Sequence, residues 1–221
     1  MSDESRFSLD ELRAAAQQLV GAGQDVRAKL HELTMKALTQ RQLAEQEIRE
    51  VLAAITEGVS LGASQRAEEM RTALSDALQG VDDALGYAAE AMHLALGEAS
   101  THAQEFAESD VKQSLSELKN LEEMFLDTVR RTAQGASGLV KQEMAALLEH
   151  AGRAGTGTGG RVKDVVDDLG NRLRATAHEA GDAGKRAARE IGVRVATLAS
   201  RKLAEMADKI EQKAQALKQD K

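Results

Sequence analysis

The sequence predicts an all-α protein, an elongated antiparallel bundle of long, coiled-coil-like helices preceded by a short helical pair. Three observations carry that expectation. The 221 residues contain no Pro, no Cys and no Trp, and only four aromatic residues: Phe7, Tyr87, Phe106 and Phe125. Thirty-nine residues are Ala, and the chain is otherwise rich in Leu, Glu, Gln, Arg and Lys, the strongest helix formers. Finally, apolar residues recur at helical and not at strand spacing. A compact core normally draws much of its buried area from aromatic rings, so this composition implies long helices packed through small side chains.

The first element is marked by its own capping signals. Ser8 and Glu11 stand as an S-x-x-E capping box, with Phe7 and Leu12 at the hydrophobic-staple positions. A helix is expected from about residue 9 to Val20, stopping at the glycines Gly21 and Gly23. A second short helix, about Asp25 to Leu38, completes an N-terminal unit over residues 1–38. Thr39 and Gln42 repeat the capping box, with Leu38 and Leu43 as staple, so a third helix is expected to open there.

Residues 39–151 read as long amphipathic helices. Leu74, Leu78, Val81, Leu85, Ala88 and Met92 follow a 4-3-4-3-4 spacing suited to a partner helix. Met70, Leu74 and Leu78 shift that stripe as a stutter does. A continuous helix over 40–108 would be about 100 Å long. Gly58, Gly62, Gly80, Gly86 and Gly97 weaken it, and Gly58 and Gly62 could mark a break, so one helix and two both stay open. A turn is expected at Glu108 to Asp110. Beyond it, Ala107, Leu118, Val129 and Val140 recur every eleven residues, as do Ser114, Phe125, Ala136 and Leu147. Such a repeat gives a nearly straight apolar stripe on a helix expected to end near Ala151. A Gly-rich hinge over 152–160 should then lead into a last long helix in the basic segment 161–221.

The hinge contains the one motif that could carry chemistry. Gly155-Thr156-Gly157-Thr158-Gly159-Gly160 is a literal G-x-G-x-x-G. The dinucleotide reading needs a strand before the glycines and a helix after them. What precedes them is the helical stretch "KQEMAALLEHAGRA", and Arg161 stands where a phosphate-binding loop requires Lys followed by Ser or Thr. Gly155, Gly157, Gly159 and Gly160 are therefore read as a hinge, where an anion could still rest on the amides that open the last helix. Glu90 and His93 form an E-x-x-H, half of a di-iron ligand set whose second half is missing. Gly58 and Gly62 form a G-x-x-x-G flanked by charges, which suggests tight packing in a bundle or a local kink. No metal, cofactor or catalytic constellation is expected, and no enzyme. Stacked nucleic-acid binding is not expected either, because no aromatic follows Phe125. The absence of Cys removes disulfide and thiol chemistry. The stretch "MSDESRFSLDELR" lacks a secretory pattern, and no run is apolar for the roughly 20 residues of a membrane span, so a cytoplasmic protein is expected.

Charge is divided along the chain. Residues 1–150 hold 14 Lys and Arg against 26 Asp and Glu, a net of −12, and residues 151–221 hold 15 against 10, a net of +5. The basic arm can fold back on the acidic body or meet an anionic surface. The apolar stripes have a similar pair of readings. They can pack against one another, against partner helices or in a homo-oligomer, or they can lie on a hydrophobic surface with charges outward. Leu74, Leu78, Val81, Leu85, Met92, Leu118, Val129 and Val140 are the expected contact face.

Stretches such as "LSDALQGVDDALGYAAEAM" and "AAREIGVRVATLASRKLAEMADKIEQKAQAL" resemble bacterial phasins, helical proteins that coat polyhydroxyalkanoate storage granules. The eleven-residue recurrence is also similar to exchangeable apolipoproteins and late-embryogenesis-abundant proteins. The likeness covers roughly residues 40–218 and is one of style, without a diagnostic motif. The mean hydropathy of −0.40 is less hydrophilic than the late-embryogenesis type, and the N-terminal pair belongs to none of these families. The resemblance implies a non-enzymatic protein on a hydrophobic granule or lipid surface; the alternative is an oligomeric scaffold or adaptor acting through protein contacts.

Overall fold

The computed structural model describes residues 6–41, 43–101, 116, 118–176 and 188–219. Among them are eight α-helices and no strand: α1 (Leu9–Ala22), α2 (Val26–Thr39), α3 (Glu45–Ser64), α4 (Met70–Thr101), α5 (Leu121–Gly135), α6 (Gly138–Ala154), α7 (Gly157–Thr176) and α8 (Ala188–Gln219). The protein is an all-α helical bundle. α1 packs on α3 and α2 on α4, so the N-terminal pair lies over the α3–α4 pair. α5 packs on α3, α6 on α5, and both α7 and α8 on α4. α4, with 32 residues and a length of about 48 Å, is the helix most of the others touch.

The first helix starts as its sequence predicts. The Ser8 hydroxyl accepts the Glu11 amide at 3.2 Å, while the Ser8 amide donates to the Glu11 carboxylate at 2.8 Å. Gly23, with φ of 70°, closes the helix in the left-handed conformation that glycine adopts without strain. The box expected at Thr39 does not form. Thr39 ends α2, its hydroxyl donating to the Lys36 carbonyl, and α3 opens later behind Ala44 with no side-chain cap. Gln42 lies outside the described residues. The reason is a competing local bond: a Thr hydroxyl at a helix end can turn back to the preceding carbonyl instead of forward to an amide.

The segment 40–101 is two helices, and the break falls at 65–69, not at Gly58 or Gly62. Arg66 pairs there with Glu69 and donates to the Gly21 carbonyl at 3.4 Å, tying the turn to the end of α1. The stutter at Met70 thus marks a new helix start and not a change of supercoil. The eleven-residue stripe is also interrupted: α5 ends at Gly135, Ala136 and Ser137 are extended, and Gly138 has φ of 58°. The repeat continues through "QGASGL" in register but not in bulk, and two glycines within four residues end the helix. The last helix opens at Gly157 instead of Arg161. The expected turn at 108–110, Ala107 and Ser114 of the repeat, and the join at 177–187 lie outside the described residues.

The G-x-x-x-G of α3 is the close-packing device. A Cβ on Gly58 would strike the Arg13 carbonyl oxygen and lie 2.8 Å from Ala16 Cβ; one on Gly62 would lie 2.8 Å from Val20 Cβ. Gly80 gives α2 the same access to α4, its missing Cβ facing the Arg27 carbonyl and the His31 amide. Around these approaches the core is mostly aliphatic and small. Leu12, Leu30, Leu52, Ile55, Leu74, Leu85 and Leu96 are fully buried, together with Ala73, Ala77, Ala84, Ala88, Ala89, Ala91 and Ala95 along α4.

These contacts give opposite signs to two glycine substitutions. Gly58→Ala gains about 1 kcal/mol of helix propensity but must overpack the α1 backbone, at about 1–3 kcal/mol. It is expected to lower stability by up to about 2 kcal/mol. Gly152→Ala, at a helical position with nothing within 4 Å, should raise stability by up to about 1 kcal/mol. Urea unfolding midpoints of the two variants check this, and a stabilised Gly58→Ala protein would refute the close approach.

Candidate functional site

The G-x-G-x-x-G segment builds the most elaborate polar constellation of the described residues. Gly155 closes α6 with φ of 80° and donates its amide to the Ala151 carbonyl at 2.8 Å. Thr156 then caps α7, its hydroxyl accepting the Gly159 amide at 2.9 Å. A helix start leaves several amides without partners, and the site fills them with carboxylates. Asp82 of α4 accepts the Gly157 amide at 2.7 Å and the Thr158 amide at 3.0 Å, and its own carbonyl accepts the Thr158 hydroxyl at 3.0 Å. Glu122 of α5 accepts the Thr156 hydroxyl at 2.7 Å and the Thr156 amide at 3.2 Å.

The glycines follow from that geometry. A Cβ on Gly157 would lie 2.9 Å from the Asp82 carboxylate, and one on Gly159 would strike the Glu122 carboxylate. The bend itself is at Gly155 and Thr156, while Gly157, Gly159 and Gly160 belong to the first turn of α7. Helix amides that open toward a ligand in phosphate sites are here satisfied from within the fold. Thr158 is fully buried and Thr156 half-buried, and the positive end of α7 sits against two negative side chains as the helix dipole favours.

Further polar contacts hold α7 and α8 to the body. His93 Nε2 and the Asp168 carboxylate of α7 are 2.8 Å apart. Lys202 of α8 lies 3.4 Å from Glu98, and the Ser200 hydroxyl accepts the Leu43 amide at 2.9 Å. The basic segment therefore packs on the acidic body along these helices. Glu90 and His93 do not share a partner in these contacts. Among the described residues no three His, Asp or Glu side chains gather as a metal site, and no helix is long and apolar enough to cross a membrane.

The predicted contact face lies inside the bundle. Leu74, Val81, Leu85, Met92, Leu118, Val129 and Val140 are buried, and Leu78 is half-buried against the same core. They come together from α4, the residues before α5, α5 and α6. Among the described side chains of the helices covering α4, Val162, Val165 and Thr158 of α7 and Ala199 and Leu203 of α8 are buried, and Val166, Leu198, Met206 and Ala207 are partly buried against the same core. The roles of Asp82 and Glu122 were not legible from the sequence. The only signal for them is the pair of glycines that make room for carboxylates.

A second polar cluster sits where α2 meets α4. The His31 ring meets Tyr87 edge-on, with centroids 5.4 Å apart, and its Nδ1 is buried without a hydrogen-bond partner. Burial pushes the imidazole below its ordinary range; Asp83 and Glu32 oppose that shift and Arg27 adds to it.

The chain belongs to a family of unknown function, DUF6781, whose model matches residues 2–212. A search of curated proteins finds no match, and neither does a search of solved structures.

The lowered His31 pKa fixes the sign of one pH effect. The unfolded chain, with an ordinary His pKa of about 6.5, takes up a proton before the folded protein does. Stability is thus undiminished above that value and falls as pH drops through it toward the folded pKa. His31→Gln should flatten this part of the stability profile, measured by urea unfolding from neutral to mildly acid pH. An unchanged slope would remove His31 as its source.

Proposed function

We propose that the protein is a non-enzymatic, cytoplasmic helical protein that binds hydrophobic surfaces, such as polyester storage granules or lipid inclusions, by lifting α7 and α8 from α4. The supporting observation is the unequal way the bundle is held. Among the described side chains, α4 buries leucines, alanines and Val81 over most of its length, whereas α7 and α8 bury Val162, Val165, Ala199, Leu203 and Thr158, with Val166, Leu198 and Met206 partly buried, beside contacts through carboxylates, hydroxyls and ion pairs. Burying one Leu or Val contributes about 1.5–3 kcal/mol, and a net hydrogen bond about 0.5–1.5 kcal/mol. A layer holding few of the former opens at lower cost than the core beneath it.

Lifting α7 and α8 would uncover the sides of α4 that carry Asp82, Gly86, His93 and Glu98, and the stripe of Leu74, Leu78, Val81, Leu85 and Met92 would reach a surface as the contacts with α5 and α6 part in turn. Water does not favour that exposure, but an apolar surface replaces the lost helix contacts with equivalent ones. Among the described side chains, the large exposed apolar ones in the closed form are Leu61, Leu94 and Leu139, one each on α3, α4 and α6. Scattered leucines make no standing patch, which favours a face revealed on demand. The second reading, an oligomeric scaffold with permanently buried stripes, is favoured by the same burial if α7 and α8 stay in place.

Flotation with polyhydroxybutyrate particles and with anionic liposomes separates these readings. The wild-type protein is expected to leave solution with the polyester particles in high salt, and Asp82→Ala, which frees the start of α7, to do so more readily. Binding to liposomes alone and lost in salt would assign the interaction to the basic segment. A protein that stays in solution in both, with either sequence, would overturn surface binding and leave the scaffold.

A further inference from the structure

Between α2, α4 and α7 opens a cleft of about 710 Å³, on the side of α4 that carries Asp76, Asp83 and Tyr87. Its size falls within the range of small-molecule sites. Its walls carry two guanidiniums, and their circumstances differ. Arg27 is engaged: it forks onto Asp83 at 2.8 and 3.2 Å and donates to Gln79 at 3.0 Å. Arg161 is positioned but not engaged. Its stem crosses Gly86, where a Cβ would lie 2.7 Å from the Arg161 Cδ, and its guanidinium centre is 5.2 Å from the Tyr87 ring centroid. Tyr87 is in turn braced edge-on by His31. The contact with the ring leaves the N–H fork of Arg161 free to receive a carboxylate. Arg161 makes no hydrogen bond or ion pair among the described residues.

Asp76 lines the same cleft from α4 and likewise makes no hydrogen bond or ion pair there, although its field reaches Arg27. Asp25, in front of α2, lines the cleft too, its side chain without hydrogen bond or ion pair among the described residues, so one free cation and two free carboxylates face one cavity. A lone anion would leave Asp76 unanswered, and a lone cation would face Arg161.

We infer that the cleft between α2, α4 and α7 binds a small zwitterion of the amino-acid class, its carboxylate on Arg161 and its ammonium on Asp76. The two charges are complementary to the cleft, and a guanidinium already set against a ring lowers the ordering cost of binding. Lifting α7 would carry Arg161 away from Asp76, so the inference describes the closed bundle; it does not rest on surface binding.

Titration calorimetry with glycine, γ-aminobutyrate and lysine tests it, with butyrate and butylamine as single-charge controls. At least one amino acid is expected to bind saturably with a Kd of ~1 mM or tighter, and both controls to give no saturable signal at roughly ten times that concentration. Arg161→Gln and Asp76→Asn should each weaken binding by about tenfold or more. Thermal melting of both variants, both substituted at the cleft wall, reports whether the fold is kept. Arg161→Lys, which retains charge and stem, should lose less than Arg161→Gln. Absence of saturable binding by all three amino acids would overturn the inference, as would a control binding equally well or folded variants binding like wild type.

Discussion

A chain with four aromatic residues in 221 has to build its core from close helix approach, because it lacks the side chains that fill wide gaps. Everything else in the structure depends on that constraint. Gly58 and Gly62 let α1 rest on the backbone of α3, and Gly80 lets α2 rest on α4. The alanines along α4 then admit neighbours on several sides. Dispersion contacts are numerous in such packing, but each small side chain removes little apolar area from water. The bundle therefore relies on geometry more than on bulk, and polar groups at its margins take a larger share in positioning the helices.

The start of α7 shows how those polar groups are used. A glycine-rich turn leading into a helix is a common way to cradle phosphate, since unpaired amides and the helix dipole converge there. In this bundle Asp82 and Glu122, carried on two other helices, take the phosphate's place. The same chemistry becomes a fastening between the C-terminal layer and the body. A charged acceptor bonded to helix amides is stronger than a neutral one, and the fastening is concentrated at one end of α7. His93 with Asp168 and Lys202 with Glu98 are partly exposed pairs of smaller value, and the Ser200 hydroxyl adds a bond from the Leu43 amide.

How much of this could be read from the sequence varies with the range of the interaction. The all-α class, the first helix with its capping box, and the stop at Gly23 depend on residues within a few positions of one another, and they were legible. The interior position of Leu74, Val81 and Leu85 follows from their spacing, although spacing alone does not say whether a helix, a partner or a surface lies opposite. The box at Thr39 failed because its signal was local while a competing local bond existed. The break at 136–137 was hidden by a repeat that kept its period while losing its bulk. The Asp82 and Glu122 contacts join residues 34 to 76 positions apart, beyond the reach of any local pattern. The glycines were visible, but a hinge and an anchored helix start are written with the same letters.

If the polar contacts at the start of α7 are what fasten α7 and α8 over α4, the bundle has two layers of unequal strength. Native-state hydrogen exchange at increasing urea tests this most directly, because it resolves openings smaller than global unfolding. Amides of α7 and α8 should exchange through an opening of lower free energy than those of α3 and α4. Asp82→Ala should lower that opening further, with a smaller effect on α3. If α7, α8, α3 and α4 all exchanged at one common free energy, in both proteins, the bundle would be a single cooperative unit and the claim would fail.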